Sequence, residues 1–214
     1  MPMAQPNGSD SQDDRLAVYI LAGGRSTRFG RDKATFEVQG TPMIVHLAQT
    51  FAPLARSVTV VAAGAGVYEH LGLRTIGDVI EGKGPVGGLL TALQDHRNQI
   101  RVAGAREGYN FREGWILVSA CDWVGVRTDW VNKLTAQRHD GAQAVVFRAQ
   151  RFEPLLGLYH TSACDTIASR MAADKLDMQG LLAEIAAVHI PRPSDWATMT
   201  NVNRPSDLDT SQGS

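Results

Sequence analysis

The chain has 214 residues, with 21 lysines and arginines against 22 aspartates and glutamates, for a formal net charge of −1. That length suits one α/β domain with a substantial core, and the near-neutral charge argues against a general nucleic-acid binder, which would carry a basic face. No apolar run approaches the ~18 residues of a membrane span, so neither nucleic acid nor membrane is expected as a partner and a cytoplasmic location is.

Residues 1–14 are polar and contain Pro, Gly, Ser and Asp without the apolar segment of a secretory signal, so they read as a disordered tail. Residues 209–214 read as a second frayed end, leaving 15–208 as a single domain. The first apolar run, 16–22, predicts a buried parallel strand. It opens into Leu21-Ala22-Gly23-Gly24-Arg25-Ser26-Thr27-Arg28-Phe29-Gly30-Arg31-Asp32-Lys33. A helix is expected over 42–54, with Pro42 in its first turn and Thr41 as N-cap. Strands follow at 57–62 and at 74–76, the latter ending near Asp78.

Helical periodicity covers 86–96, introduced by Gly84-Pro85. Residues 97–114 have no clean period and read as a loop or small excursion with room for one short strand. A continuous apolar strand at 115–120 ends at Cys121-Asp122. A helix at 128–139, a strand at 143–147, helices within 161–173 and 178–187, and a strand at 188–191 complete the pattern. Strands alternating with helices imply a three-layer α/β/α fold around a mostly parallel sheet. Ligands of such sheets bind beyond the carboxyl ends of the strands, so Gly23-Gly24, Asp78 and Asp122 are expected to converge on one crevice.

The glycine-rich segment after the first strand suits a phosphate. Glycines let backbone N–H groups close on an anion, and Arg25, Arg28 and Lys33 supply countercharge. It is not a Walker A loop, because the lysine falls two positions late after Gly30 and the following hydroxyl is missing. Nor does it give G-x-G-x-x-G, which leaves an NAD-dependent oxidoreductase remote. An ordinary βα turn with surface basic residues is the plain alternative. In Gly84-Pro85-Val86-Gly87-Gly88-Leu89, glycines at a helix start permit close approach by a flat or charged ligand, although such pairs also mark simple turns. Asp122, at a strand end, suits Mg²⁺ held against nucleotide phosphates, or equally a turn or N-cap aspartate. The two cysteines, Cys121 and Cys164, form no Cys-x-x-Cys pair, and the six histidines are scattered; reduced thiols and no structural zinc are expected.

The segment L-A-G-G-x-S-x-R-F-G-x-D-K resembles the first motif of nucleotidyltransferases that attach a nucleotide to a phosphorylated acceptor. It is most similar to the molybdenum cofactor guanylyltransferases of the MobA type. The resemblance spans about 16–208 and includes Gly84-Pro85-Val86-Gly87-Gly88, Cys121-Asp122, Glu153-Pro154-Leu155-Leu156-Gly157-Leu158-Tyr159 and Asn201-Val202-Asn203-Arg204-Pro205. It implies a Rossmann-like nucleotidyltransferase sheet, GTP and a molybdopterin-type phosphate acceptor as substrates, Mg²⁺ as cofactor, and transient contact with other cofactor-biosynthesis proteins. Leu21, Ala22, Gly23, Gly24, Arg28, Lys33, Asp78, Gly84, Pro85 and Asp122 would bind the nucleotide. Arg28, Lys33 and Asp122 would serve catalysis, Asp122 as metal ligand, and Pro154, Asn201 and Asn203 would meet the acceptor.

The chain departs from that pattern in three places. Val124 stands where C-D-x-P has proline, which is expected to free the loop; Ala62-Ala63-Gly64-Ala65-Gly66 replaces an asparagine-containing loop; and Arg204 replaces a threonine. A cytidylyl- or sugar-1-phosphate nucleotidyltransferase of the same fold, and an adaptor that binds GTP without turnover, are the alternatives.

Overall fold

A computed structural model of the chain describes residues 15–23, 32–107, 114–202 and 207, with side chains omitted for 104–107. Both predicted tails, 1–14 and 209–214, lie outside the described residues.

The first strand, β1 (Leu16–Leu21), is buried at every position. Because strand side chains alternate, it feeds two cores. Leu16, Val18 and Ile20 join one apolar cluster, while Ala17, Tyr19 and Leu21 join the other. A 3-10 turn at Lys33–Thr35 leads into a small hairpin of β2 (Glu37–Val38) and β3 (Thr41–Pro42). Its turn residues Gln39 and Gly40 both have positive φ, 51° and 77°, the geometry of a two-residue hairpin turn. Helix α1 (Met43–Phe51) follows. Here the expectation is corrected: Thr41 is paired in the hairpin, Pro42 occupies the N-cap without a side-chain bond, and residues 52–54 tighten into a 3-10 turn.

Next come β4 (Ala55–Ala62), β5 (Arg74–Gly77) and α2 (Gly84–Glu107). The last overturns the expected loop after His96, since the helix continues to Glu107 before the segment that is not described. Beyond His96 the helix carries exposed Arg97, Asn98, Gln99, Arg101 and Val102, so it has no apolar stripe to betray its period. Arg97, Gln99, Arg101, Ala103, Ala105 and Arg106 nonetheless favour a helix by propensity, and Gln99 ties it to Tyr19 and Asp95.

Strands β6 (Trp115–Ala120) and β7 (Trp123–Val124) precede α3 (Thr128–Thr135). That helix stops short of 139 because Gln137 and Arg138 donate to Leu134 and Thr135, three residues back, and unwind the last turn. The chain then forms β8 (Ala144–Arg148), β9 (Phe152–His160), α4 (Cys164–Ala172), α5 (Met178–Glu184), β10 (Ala187–Pro191) and β11 (Thr200–Asn201). Helix α5 ends before 187 because Ile185 is already extended, with ψ of 162°.

The main sheet has seven strands in the order β10-β8-β9-β6-β1-β4-β5. All neighbours are parallel except β9, which runs antiparallel to β6 and β8. The connection from β8 to β9 is a short turn closed by Ala149 N–H on the Arg151 carbonyl, and only antiparallel strands can be joined so briefly. Helices α1 and α3 cover one face, with Ile44, Leu47, Phe51, Trp130 and Leu134 against Val18 and Ile20. Helices α2, α4 and α5 cover the other, with Leu89, Leu93, Ile167 and Leu181 against Tyr19 and Val118. The fold is therefore three-layered α/β/α around a mixed, mostly parallel sheet.

Candidate active site

The parallel strands end level with one another. Leu21 lies opposite Val61 and Ala120, and Ala62 opposite Gly77. The ladder runs one residue further: Ala22 N–H donates to Val61 (2.8 Å), Asp78 N–H to Ala62 (2.8 Å) and Cys121 N–H to Leu21 (3.1 Å). Ala22, Asp78 and Asp122 thus leave the sheet along one edge, around β1, where the connections to β4 and from β6 depart to opposite sides. That is the switch point at which open α/β sheets bind ligands. Leu21, Ala22 and Gly23 stand at this edge, whereas Gly24, Arg25, Arg28 and Asn203 lie outside the described residues.

Asp78 sits between the first strand and the start of α2. A Cβ on Gly23 would lie 3.4 Å from its Oδ2, and a Cβ on Gly88 would lie 3.7 Å from its Oδ1. Glycine at both positions leaves the carboxylate reachable. Gly84, at φ +61°, begins α2 and Pro85 follows, placing the positive end of the helix dipole on the same side as Asp78. The segment after β4 also lies close, since a Cβ on Gly77 would meet Ala65 N at 3.3 Å. The small residues there permit that approach. Burial raises the Asp78 carboxyl above its usual value, Glu81 adds to the rise, and the Thr91 hydroxyl opposes it. Its Oδ1 is buried without a hydrogen-bond partner among the described residues.

On the other side of β1, Lys33 Nζ reaches Asp122 Oδ2 at 2.9 Å, with both side chains mostly buried at 14% and 20% exposure. Asp122 Oδ1 is buried and again without a partner among the described residues. Lys33 is placed by its neighbour: Asp32 caps the 3-10 turn, its Oδ1 accepting from Ala34 N–H at 3.0 Å. Cys121 adjoins this group and packs against the apolar cluster beneath it; burial, with the Asp122 charge added, pushes its thiol up to about 12.

The third predicted cluster converges as well. β11 pairs antiparallel with β7, Thr200 opposite Val124 and Asn201 opposite Trp123, and Val202 N–H donates to the Asp122 carbonyl at 2.9 Å. The alternation of an antiparallel ladder then makes Val124 and Thr200 a hydrogen-bonded pair. A proline at 124 could not donate there. The expectation that losing this proline frees the loop is therefore corrected: valine ties it to β11. Trp123 Nε1–H donates to the Leu155 carbonyl at 3.0 Å, which fastens the Asp122 turn to the β9 segment containing Pro154. Pro154 itself lies where the pairing register of β8 and β9 shifts, and its carbonyl accepts from Tyr159. Asn201 Oδ1 is the third buried side-chain oxygen without a partner among the described residues.

The Asp122 carboxylate is a hard oxygen donor and suits a hard divalent cation better than a soft one. No group of three or more His, Cys, Asp or Glu side chains poised for a metal occurs among the described residues. Mg²⁺ can be held by one or two carboxylates with phosphates and water completing its shell, so a single carboxylate such as Asp122 is compatible with it. Sequence reasoning missed Asp32, Tyr68 and Trp123 as supports of this site. Asp32 before a turn carried a capping signal; Tyr68, isolated among turn residues, carried none.

Among the described residues no helix is long and apolar enough to cross a membrane. Residues 18–188 match the model of the MobA-like NTP transferase domain. A protein of Flavobacterium johnsoniae described as "Probable molybdenum cofactor guanylyltransferase" is 27% identical over 91% of this chain and 95% of its own length. A Synechococcus elongatus protein with the same description is 30% identical over 90% of this chain and 95% of its own. Among solved structures, molybdopterin-guanine dinucleotide biosynthesis protein A of Archaeoglobus fulgidus shares the fold with a TM-score of 0.71, at 21% identity over 92% of this chain and 96% of that one.

Proposed function

The chain belongs to the MobA-like NTP transferase domain family, which makes it a nucleotidyltransferase, and from that premise we propose that it transfers GMP from GTP to the phosphate of a molybdopterin-type acceptor. The acceptor phosphate oxygen attacks the α-phosphorus, the bond to the β-phosphate oxygen breaks, and pyrophosphate leaves. The nucleophile is already ionised at neutral pH, so no general base is required. The protein's task is positioning and charge neutralisation.

The observation that carries this reading is the Lys33–Asp122 pair at 2.9 Å, set at the switch point with Asp122 Oδ1 open. Lys33 presents a cation where the β- and γ-phosphates would lie. Asp122 would hold Mg²⁺, which when bound supplies charge neutralisation on the phosphates. Asp78, with an open acceptor oxygen, suits the ring N–H and exocyclic amine of guanine. Gly23 and the start of α2 would receive the nucleotide, while Asn201 and Pro154, tied to the Asp122 turn through β11 and Trp123, would meet the acceptor.

The test is calorimetric titration with GTP, CTP, ATP and UTP, with and without Mg²⁺, followed by pyrophosphate release with the pterin acceptor. GTP preference strengthened by Mg²⁺ and acceptor-dependent release are expected. Preference for CTP would reassign the base, and nucleotide binding without release would leave an adaptor.

A further inference from the structure

Outside the residues that would touch nucleotide, the buried hydroxyl of Tyr68 is aimed at the phosphate side of the site. Tyr68 is 2% exposed, and its hydroxyl donates to Asp32 Oδ2 at 2.7 Å. The other oxygen of that carboxylate accepts from Ala34 N–H at 3.0 Å. Asp32 is thus held at both oxygens, immediately before the lysine that reaches Asp122. We propose that Tyr68 is a positioning residue for Lys33, acting through Asp32; its role in transfer rests on the function proposed above, while its hold on Lys33 does not.

Tyr68 is itself anchored. Its N–H donates to Thr75 Oγ1 at 3.2 Å, and its carbonyl accepts from Leu71 and Leu73 at 3.0 and 3.3 Å. Thr75 belongs to β5, paired with β4 inside the main sheet. A continuous brace therefore runs from the sheet through Tyr68 and Asp32 to the backbone of Lys33, and ends at Asp122. A lysine side chain has four rotatable bonds, so fixing its backbone removes part of the entropy cost of aiming the ammonium. Burial, and then the bond to Asp32, hold the phenol well above its usual pKa, so it remains a donor throughout the working pH range. The brace spans the two halves of the crevice, since Tyr68 lies in the segment packed on Gly77, beside Asp78, whereas Asp32 belongs to the phosphate side.

A tyrosine that merely fills the core would be replaced by phenylalanine with little effect on Lys33. The decisive experiment measures acylation of Lys33 by mass spectrometry on the protein alone, with melting temperature, kcat and KM for GTP. Tyr68→Phe should melt within a few degrees of the parent and acylate Lys33 several-fold faster. Its kcat should fall roughly ten- to hundredfold, the scale of a small misplacement of a charged group, with KM changed far less. Asp32→Ala, which leaves the Tyr68 ring in place, should behave the same way, and adding Tyr68→Phe to it should cost little more. Asp32→Asn should recover most of the loss, because its amide accepts from Ala34 and donates to the phenol. Unchanged acylation and kcat in Tyr68→Phe and Asp32→Ala would overturn the proposal, whatever happened to the melting temperature. If the parent released no pyrophosphate, the transfer reaction would fall, and the acylation rates would still decide the role of Tyr68.

Discussion

Two aspartates on this molecule are similarly buried and shift in opposite directions. At Asp95, burial alone would raise the carboxyl, but hydrogen bonds from Arg74, Tyr19 and Gln99 overcome it and lower the pKa. Arg74 grips it through two nitrogens at 2.9 and 2.8 Å, the Tyr19 hydroxyl at 2.7 Å and the Gln99 amide at 2.6 Å, while Arg74 also reaches Thr59 at 2.9 Å. At Asp78 nothing comparable answers the burial, and the pKa rises. One polar group is closed on itself and serves to hold α2 on the sheet. Around the other, buried oxygens of Asp78, Asp122 and Asn201 have no hydrogen-bond partner among the described residues. Buried polar groups ordinarily find partners, so the contrast is between a cluster that secures the fold and one consistent with the proposed nucleotide site.

The widest break in this comparison should come from Lys33→Ala or Asp122→Asn. Each is expected to lower acceptor-dependent pyrophosphate release by on the order of 10²–10³, the scale for one preorganised electrostatic contact. The closed cluster should respond in the opposite currency: Asp95→Ala, leaving Arg74 and Tyr19 without their acceptor, should cost about 1–3 kcal/mol in chemical unfolding and leave GTP affinity intact. Because the Asp95 carboxyl is lowered by folding, its contribution is present above the unfolded pKa near 4 and is lost as pH falls through the folded value.

Asp78 inverts that sign. Folding raises its carboxyl, so the ionised group weighs against the empty fold at pH 7 and the penalty disappears on acidification. Asp78→Asn should therefore raise the melting temperature at neutral pH, by the equivalent of about 0.5–2 kcal/mol, while weakening GTP. In the parent, GTP affinity should fall by up to about tenfold per pH unit once the raised carboxyl protonates; an unchanged acid limb in the Asn variant would remove Asp78 from base recognition. The smallest effect is expected of Val124→Pro, which deletes one ladder bond to Thr200 and should cost about 1 kcal/mol, read as a melting shift with little change in nucleotide binding.

Much of this arrangement could be read in the amino-acid sequence because burial writes simple patterns. The continuous apolar run of β6 gave its limits, 115–120, and the ends of β1, β5 and β6 located Gly23, Asp78 and Asp122 on one edge. What stayed hidden lacks a local pattern. Residues 97–102 of α2 are mostly exposed and so show no apolar period. The antiparallel course of β9 depends on a partner chosen through the turn after Arg148. The β7–β11 pairing joins two-residue strands far apart in the chain, and the phenol of Tyr68 meets Asp32 across 36 residues of sequence. Long-range hydrogen bonds of this kind leave no mark on composition or spacing.

The β7–β11 pairing also sets a timetable. Chains fold as they are made, from the amino terminus onward, and β1, β4, β5 and β6 can assemble while the last third is still being synthesised. The turn that carries Asp122 is not fastened until Thr200, Asn201 and Val202 arrive to pair with it. A partly made chain would thus own a recognisable sheet and a loosely held carboxylate. The carboxylate's setting is completed by almost the last described residues of the fold.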